Sequence, residues 1–339
     1  MARAGPSLLS PLLPRNTRLN LADLIAHLQQ SAGVLGKRDI QTAARALADR
    51  RPSADARLGD DCAAIADGDG YLLLAAEGML PRFVAEEPWF AGWCGVMVNV
   101  SDIYAMGGTP IALVDALWSQ TPEASKPVWD GMQAAARAYG VPIVGGHSNC
   151  TSPHEGLAVA ILGRAQHLIT SFEAEPGHTL MVTVDLRGSF FRHYPFWNAA
   201  TDSDSSRLRG DLALLPELAE AGLCRAGKDI SMGGIVGTLL MLMETSGCGA
   251  VLDLDLLPKP AGVDLDRWLT CFPSFGFLLS VPPEQVEAVR NRLVQRDLAC
   301  EAVGMVMEGH DVWLKLGNDT ALFWDVAKSP LTGFGPAHE

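Results

Sequence analysis

Apolar and polar positions change period several times along the chain, and each change marks an element. From Asn20, LADLIAHLQQ has helical apolar spacing with Asn20 as its N-cap, and KRDIQTAARALADR predicts a second helix ending near Pro52. LGDDCAAIADGDGYLLLAAEG reads as loop, strand, turn, strand, and the DGDG turn between two apolar runs is a hairpin signal. Pro88 opens a helix to about Met106. IALVDALWS is a strand, residues 124–139 are helix, VPIVGGH is a strand ending in a glycine turn, and GLAVAILGRA is another strand. The texture then restarts. PGHTLMVTVDLRG gives a turn and strand, a polar stretch at 201–206 precedes a helix at about 211–222, and GKDISMGG is a loop feeding a long apolar helix. AVLDLDLLP is a strand, and FGFLLSVPPEQVEAVRNRLVQRDLACEAVGMVM is strand, helix, strand, with Pro282 and Pro283 starting the helix. Strands alternate with helices in both halves, so the expected class is α+β with mixed sheets. The expected layout is a loose tail at 1–17, one domain at 18–167 and a second at 168–330.

One helix carries a feature that periodicity alone does not explain. Gly92, Gly95, Asn99, Asp102 and Met106 are spaced 3, 4, 3 and 4, which gathers them into about 80° of arc at roughly 100° per residue. The rest of that helix is apolar. Two readings fit. The glycines admit another backbone while Asn99 and Asp102 are bonded structurally, or the stripe lines a ligand cavity and a cation meets Asp102. A buried carboxylate needs a partner in either case.

Composition narrows the field. Nearly half of the 339 residues are apolar and the formal net charge is −13, which argues against nucleic acid or an anionic membrane as the main partner. A phosphorylated ligand is compatible, because a divalent cation bridges carboxylates to phosphate. Seven scattered cysteines without a CxxC argue against a disulfide framework or a structural zinc site. No apolar run reaches the ~18–20 residues of a membrane helix, and the cytoplasm is the default location.

Further candidates sit at element ends. Asp60 and Asp61 precede a strand, Glu77 ends the next one, and Asp229 follows Lys228 before a glycine-rich helix start. Two glycine segments are candidate phosphate cradles: Gly145, Gly146, His147 and Ser148, and the pair Gly233 and Gly234. His147 is a candidate base or phosphate contact, or a histidine bonded in a turn. Lys37 and Lys228 are candidate phosphate cations, or surface charge. Neither a P-loop nor GxGxxG occurs.

GDDCAAI (59–65), NVSDIYAMGGTP (99–110), GGHS (145–148), GLAVAILG (156–163) and KDISMGG (228–234) together resemble the aminoimidazole ribonucleotide (AIR) synthase superfamily, over roughly residues 20–310. Its members include selenophosphate synthetase and thiamine-monophosphate kinase. The resemblance implies a homodimer, an N-terminal domain whose strands build a barrel across the dimer, and a C-terminal α/β sandwich domain. It implies ATP in a cleft, Mg²⁺ held by Asp61, Glu77, Asp102 and Asp229 with Asp60 nearby, and phosphoryl transfer to a small-molecule substrate. It also implies that residues 145–148 reach the partner's nucleotide. Glu77, His147 and Met232 stand where thiamine-monophosphate kinase has Asp, and residues 1–61 lack the reactive Cys or selenocysteine of selenophosphate synthetase. These departures imply a separate subfamily, and leave open a nucleotide-binding or scaffold subunit without turnover.

Overall fold

Helices and strands alternate along the chain. The helices are α1 Leu21–Gln29, α2 Ala32–Gly36, α3 Ile40–Ala48, α4 Pro81–Glu86, α5 Pro88–Ala105, α6 Pro122–Tyr139, α7 Ser205–Leu212, α8 Leu214–Glu220, α9 Gly234–Ser246, α10 Leu265–Leu269 and α11 Val286–Val294. The strands are β1 Ala63–Asp67, β2 Gly70–Met79, β3 Thr109–Trp118, β4 Ile143–Asn149, β5 Gly156–Ala165, β6 Thr179–Val184, β7 Ser189–Phe190, β8 Phe196–Asn198, β9 Ala226–Asp229, β10 Gly249–Asp253, β11 Phe272–Pro273, β12 Gly276–Val281, β13 Ala299–Met307, β14 Asp311–Leu316 and β15 Asp319–Asp325. This computed structural model describes residues 20–48 and 57–336. The expected tail at 1–17 and the end of the second expected helix lie outside the described residues.

The chain divides into two compact units. The first comprises residues 61–168 and 200–221; the second takes the described parts of 1–60, 169–199 and 222–339. In the first unit five strands form one sheet in the order β1-β2-β5-β3-β4. The expected hairpin is present: Asp67 pairs with Gly70, and Gly68 takes a φ of +66° that suits glycine. Alternation along the strands sends Leu73, Val159, Ile161, Leu113 and Leu117 to one face, where all are buried. The helix α5 covers that face, and α6 packs against α5. The opposite face leaves Ile65, Leu74, Val114, Trp118 and Leu162 exposed. The sheet is open, with no closed barrel among the described residues. The single helix expected at 211–222 is two short ones, α7 and α8, and Arg209 of α7 donates to the Ala138 carbonyl at the end of α6 at 3.2 Å.

The second unit is built on a seven-stranded mixed sheet, β15-β14-β10-β13-β6-β12-β9, with only β10 and β14 parallel. Its core gathers Leu180, Val182, Leu240, Leu278 and Phe323, and α9 is buried along nearly its whole length. Asn20 caps α1 as expected, its side-chain oxygen accepting from the Ala22 amide at 2.9 Å. The carboxylate of Glu244, near the end of α9, accepts from the Thr332 amide and hydroxyl and from the Gly333 amide at 2.8–3.0 Å, which ties the C-terminal segment to that helix.

Candidate functional site

In the first unit the small-residue stripe of α5 is a packing face. A Cβ on Gly92 would collide with the Val128 carbonyl of α6, and one on Gly131 of α6 would collide with the Trp89 carbonyl of α5. The two helices therefore meet backbone to backbone, which side chains larger than hydrogen would prevent. A Cβ on Gly95 would press on Leu157 and Val159 of β5. At these glycines the structural reading of the stripe is the correct one, and the cavity reading is set aside. Asn99 is fully buried; its Nδ2 donates to the Gly95 carbonyl at 2.8 Å, and its Oδ1 finds no hydrogen-bond partner. Asp102, three residues on, is only 6 % exposed.

The sheet places the other candidates. Pairing aligns Glu77 of β2, Val159 of β5, Asp115 of β3 and Gly146 of β4 in one row. Alternation puts Glu77 on the helix-covered side, but near the strand's end it is exposed rather than carried into the core. Asp61 is half-buried just before β1. Gly145 to Ser148 do not form the expected glycine turn. They extend β4, an exposed edge strand parallel to β3, because backbone pairing to Val114–Leu117 compensates for the missing side chains. By register His147 pairs with Ala116 and shares the open face with Val114 and Trp118.

Asp115 was not among the sequence candidates. It is 6 % exposed, and neither carboxylate oxygen has a hydrogen-bond partner. Burial pushes its carboxyl up to about 6, its own backbone amide countering only part of the effect. The signal was available in IALVDALW, where an acid stands in phase with Leu113 and Leu117 on the inward side of an alternating strand.

In the second unit Lys228 and Asp229 do not lie in a loop. They close β9, Asp229 pairing with Phe277 of β12, and both are buried. Lys228 Nζ stands 3.7 Å from Asp60 Oδ1, and Asp60 Oδ2 accepts from the Ser171 amide at 2.9 Å. Lys228 is thus half of a buried ion pair and not a surface charge, and Asp60 is engaged within this unit. Lys37 Nζ donates to Ser231 Oγ at 3.1 Å. Gly233 is the N-cap of α9 at a φ of +106°, and the backbone of Gly33 packs against it so closely that neither tolerates a side chain. Thr238 donates to the Asp229 carbonyl at 3.2 Å, fastening the strand end to α9.

No three His, Cys, Asp or Glu side chains converge as a metal cage among the described residues. Mg²⁺ is ordinarily held by one or two carboxylates with phosphate oxygens and waters, and the buried Asp102 carboxylate on the same helix as the partnerless Asn99 Oδ1 supplies hard oxygen donors of that kind. Burial pushes the thiols of Cys94, Cys224, Cys271 and Cys300 up, away from thiolate.

Comparison with known proteins adds three kinds of likeness. Residues 59–165 match the family model described as AIR synthase related protein, N-terminal domain, and residues 176–316 match the corresponding C-terminal domain. The chain is 54 % identical over 318 residues to an uncharacterized protein of Synechocystis sp., covering 93 % of this chain and 98 % of that one. It is 28 % identical to a selenide, water dikinase of Colwellia psychrerythraea, over 65 % of this chain and 76 % of that protein. The fold is similar to that of Thermotoga maritima PurL complexed with ADP, at a TM-score of 0.72 and 18 % identity, over 94 % of this chain and 55 % of PurL. The chain thus spans about half the length of the PurL it matches. No helix among the described residues is long and apolar enough to cross a membrane.

Proposed function

The chain belongs to the AIR synthase-related family, and from that premise we propose an ATP- and Mg²⁺-dependent enzyme that activates a small molecule by phosphoryl transfer. The observation that carries this reading is Asp102: a carboxylate held buried within an apolar helix, three residues from an amide oxygen with no partner. A relative named as a dikinase and a fold neighbour solved with ADP support nucleotide use.

In this reading Asp61, Glu77 and Asp102 would hold Mg²⁺, which supplies neutralisation of charge on the transferring phosphoryl group. The chain's own contributions are positional. Asn99 offers its Oδ1 beside that carboxylate. In the second unit the Gly233–Gly234 turn opens a helix of thirteen residues whose dipole suits an anion, and Lys37 reaches Ser231 at its mouth. Lys228, paired with Asp60, serves structure more than phosphate contact.

The open face of the five-stranded sheet supports a homodimer, because exposed Ile65, Leu74, Val114, Trp118 and Leu162 form an apolar sheet surface that a second copy would cover. His147 shares that face and would then lie at the partner. Steady-state ATP hydrolysis, measured against a panel of small amines and acids, tests the enzyme reading. Turnover stimulated by one compound and abolished in Asp102→Asn is expected. Saturable Mg-ATP binding with no turnover under any condition would favour a non-catalytic subunit.

A further inference from the structure

Asp115 has a carboxylate with no donor to meet it. Both oxygens are buried without a hydrogen-bond partner. In its row across the sheet its neighbours are Val159 and Gly146, and the nearest charged position in that row is the acidic Glu77. What this carboxylate lacks is a donor.

The local backbone is shaped around that carboxylate. A Cβ on Gly146 would overlap Asp115 Oδ1, so the oxygen occupies the place of a side chain on the exposed edge strand β4. Gly146 permits the carboxylate to lie against the backbone of the exposed strand β4. A single carboxylate flanked by Val and Gly has too few donors for a divalent cation. Two free oxygens in one plane match a nitrogen group that presents two N–H bonds side by side.

We propose that Asp115 is the recognition carboxylate for the small-molecule substrate, and that this substrate carries a nitrogen cation with at least two N–H donors, of the amidine, guanidine or primary ammonium class. The inference rests on the reading of the chain as an ATP-dependent enzyme that acts on a small molecule. Its burial makes the empty carboxylate costly and the occupied one strong, since a desolvated ion pair with good geometry is far less screened than a surface pair.

The test uses the full chain without nucleotide, so that it stands apart from Mg-ATP binding. Acetamidinium and tetramethylammonium chlorides, matched in concentration at pH 8, differ in N–H donors but not in charge. Thermal shift and calorimetry are expected to show that acetamidinium binds the parent at least tenfold more tightly than tetramethylammonium does. That preference is expected to vanish in Asp115→Asn and in Gly146→Ala, which keeps the charge but displaces the oxygen. A ¹³C-carboxyl titration of the parent gives a readout independent of either variant: acetamidinium should lower the Asp115 midpoint. Equal responses to the two cations, an unchanged preference in Asp115→Asn, or an unmoved carboxyl titration would overturn the proposal. So would loss of Mg-ATP affinity in Asp115→Asn, which would place the residue in the nucleotide site. Failure of the parent to bind Mg-ATP would instead refute the enzyme reading and leave the cation result to be judged alone.

Discussion

Replacing Asp115 with Asn should stabilise the protein at neutral pH and not at acid pH. The carboxyl is pushed from 3.8 to about 6 by burial, a difference of about 2 units. At about 1.36 kcal/mol per unit this is roughly 3 kcal/mol of destabilisation when the group is ionised, an upper bound. The Asn amide loses hydration too, so the expected net gain is about 1–2 kcal/mol. The sign follows from proton binding. The folded pKa lies above the unfolded one, so the native state holds the proton longer. Parent stability from this group is full below about pH 4, falls between about 4 and 6, and is lost above. Urea midpoints of parent and variant at pH 4, 5, 6 and 8 isolate this term, because other carboxylates titrate alike in both. The variant should gain on the parent by up to roughly 3 kcal/mol between pH 4 and pH 8, being the less stable at pH 4 and the more stable at pH 8. A variant less stable than the parent at every pH would mean that Asp115 is satisfied in the fold, and the reasoning would fail.

Other contacts carry their own tests. Lys228→Met should cost about 3–5 kcal/mol by stranding Asp60, and the double variant with Asp60→Asn should recover much of it in urea unfolding. Gly92→Ala should cost at least about 2 kcal/mol, because the α5 and α6 backbones cannot separate locally; a change below 0.5 kcal/mol would contradict the packing described. Glu244→Ala should cost about 2–4 kcal/mol and speed amide exchange at Thr332 and Gly333 selectively. Trp118→Lys should yield a monomer by light scattering where the parent is a dimer, and a parent already monomeric at micromolar concentration would refute the role given to the open face.

The elements with strong periodicity were legible. Asn20 at its cap, the hairpin at Asp67–Gly70, α5 from Pro88 and the alternating strand β5 rest on local signals of spacing, turn and cap. Glycine-rich strands were not. Gly145–Gly146 and Gly227 read as loops because their strand character comes from pairing with β3 and β12, which no local window contains. The stripe on α5 was seen, but its glycines proved to face α6 and β5, a distinction set by which element packs there. Lys228 looked like surface charge because its partner Asp60 lies far away in sequence. Nor was it visible that residues 200–221 join the unit formed by 61–168.

The central claim is that Asp102 stands in its apolar helix to serve a metal–nucleotide complex. Isothermal calorimetry with ATP in the presence and absence of Mg²⁺, on the parent and on Asp102→Asn, addresses it directly, with near-UV circular dichroism confirming that the variant is folded. The account predicts saturable, Mg²⁺-dependent binding to the parent and at least about tenfold weaker binding to the variant, a loss of about 1.4 kcal/mol or more. A folded variant that binds Mg-ATP like the parent, or a parent that gives no heat and no thermal shift with millimolar Mg-ATP, would contradict it.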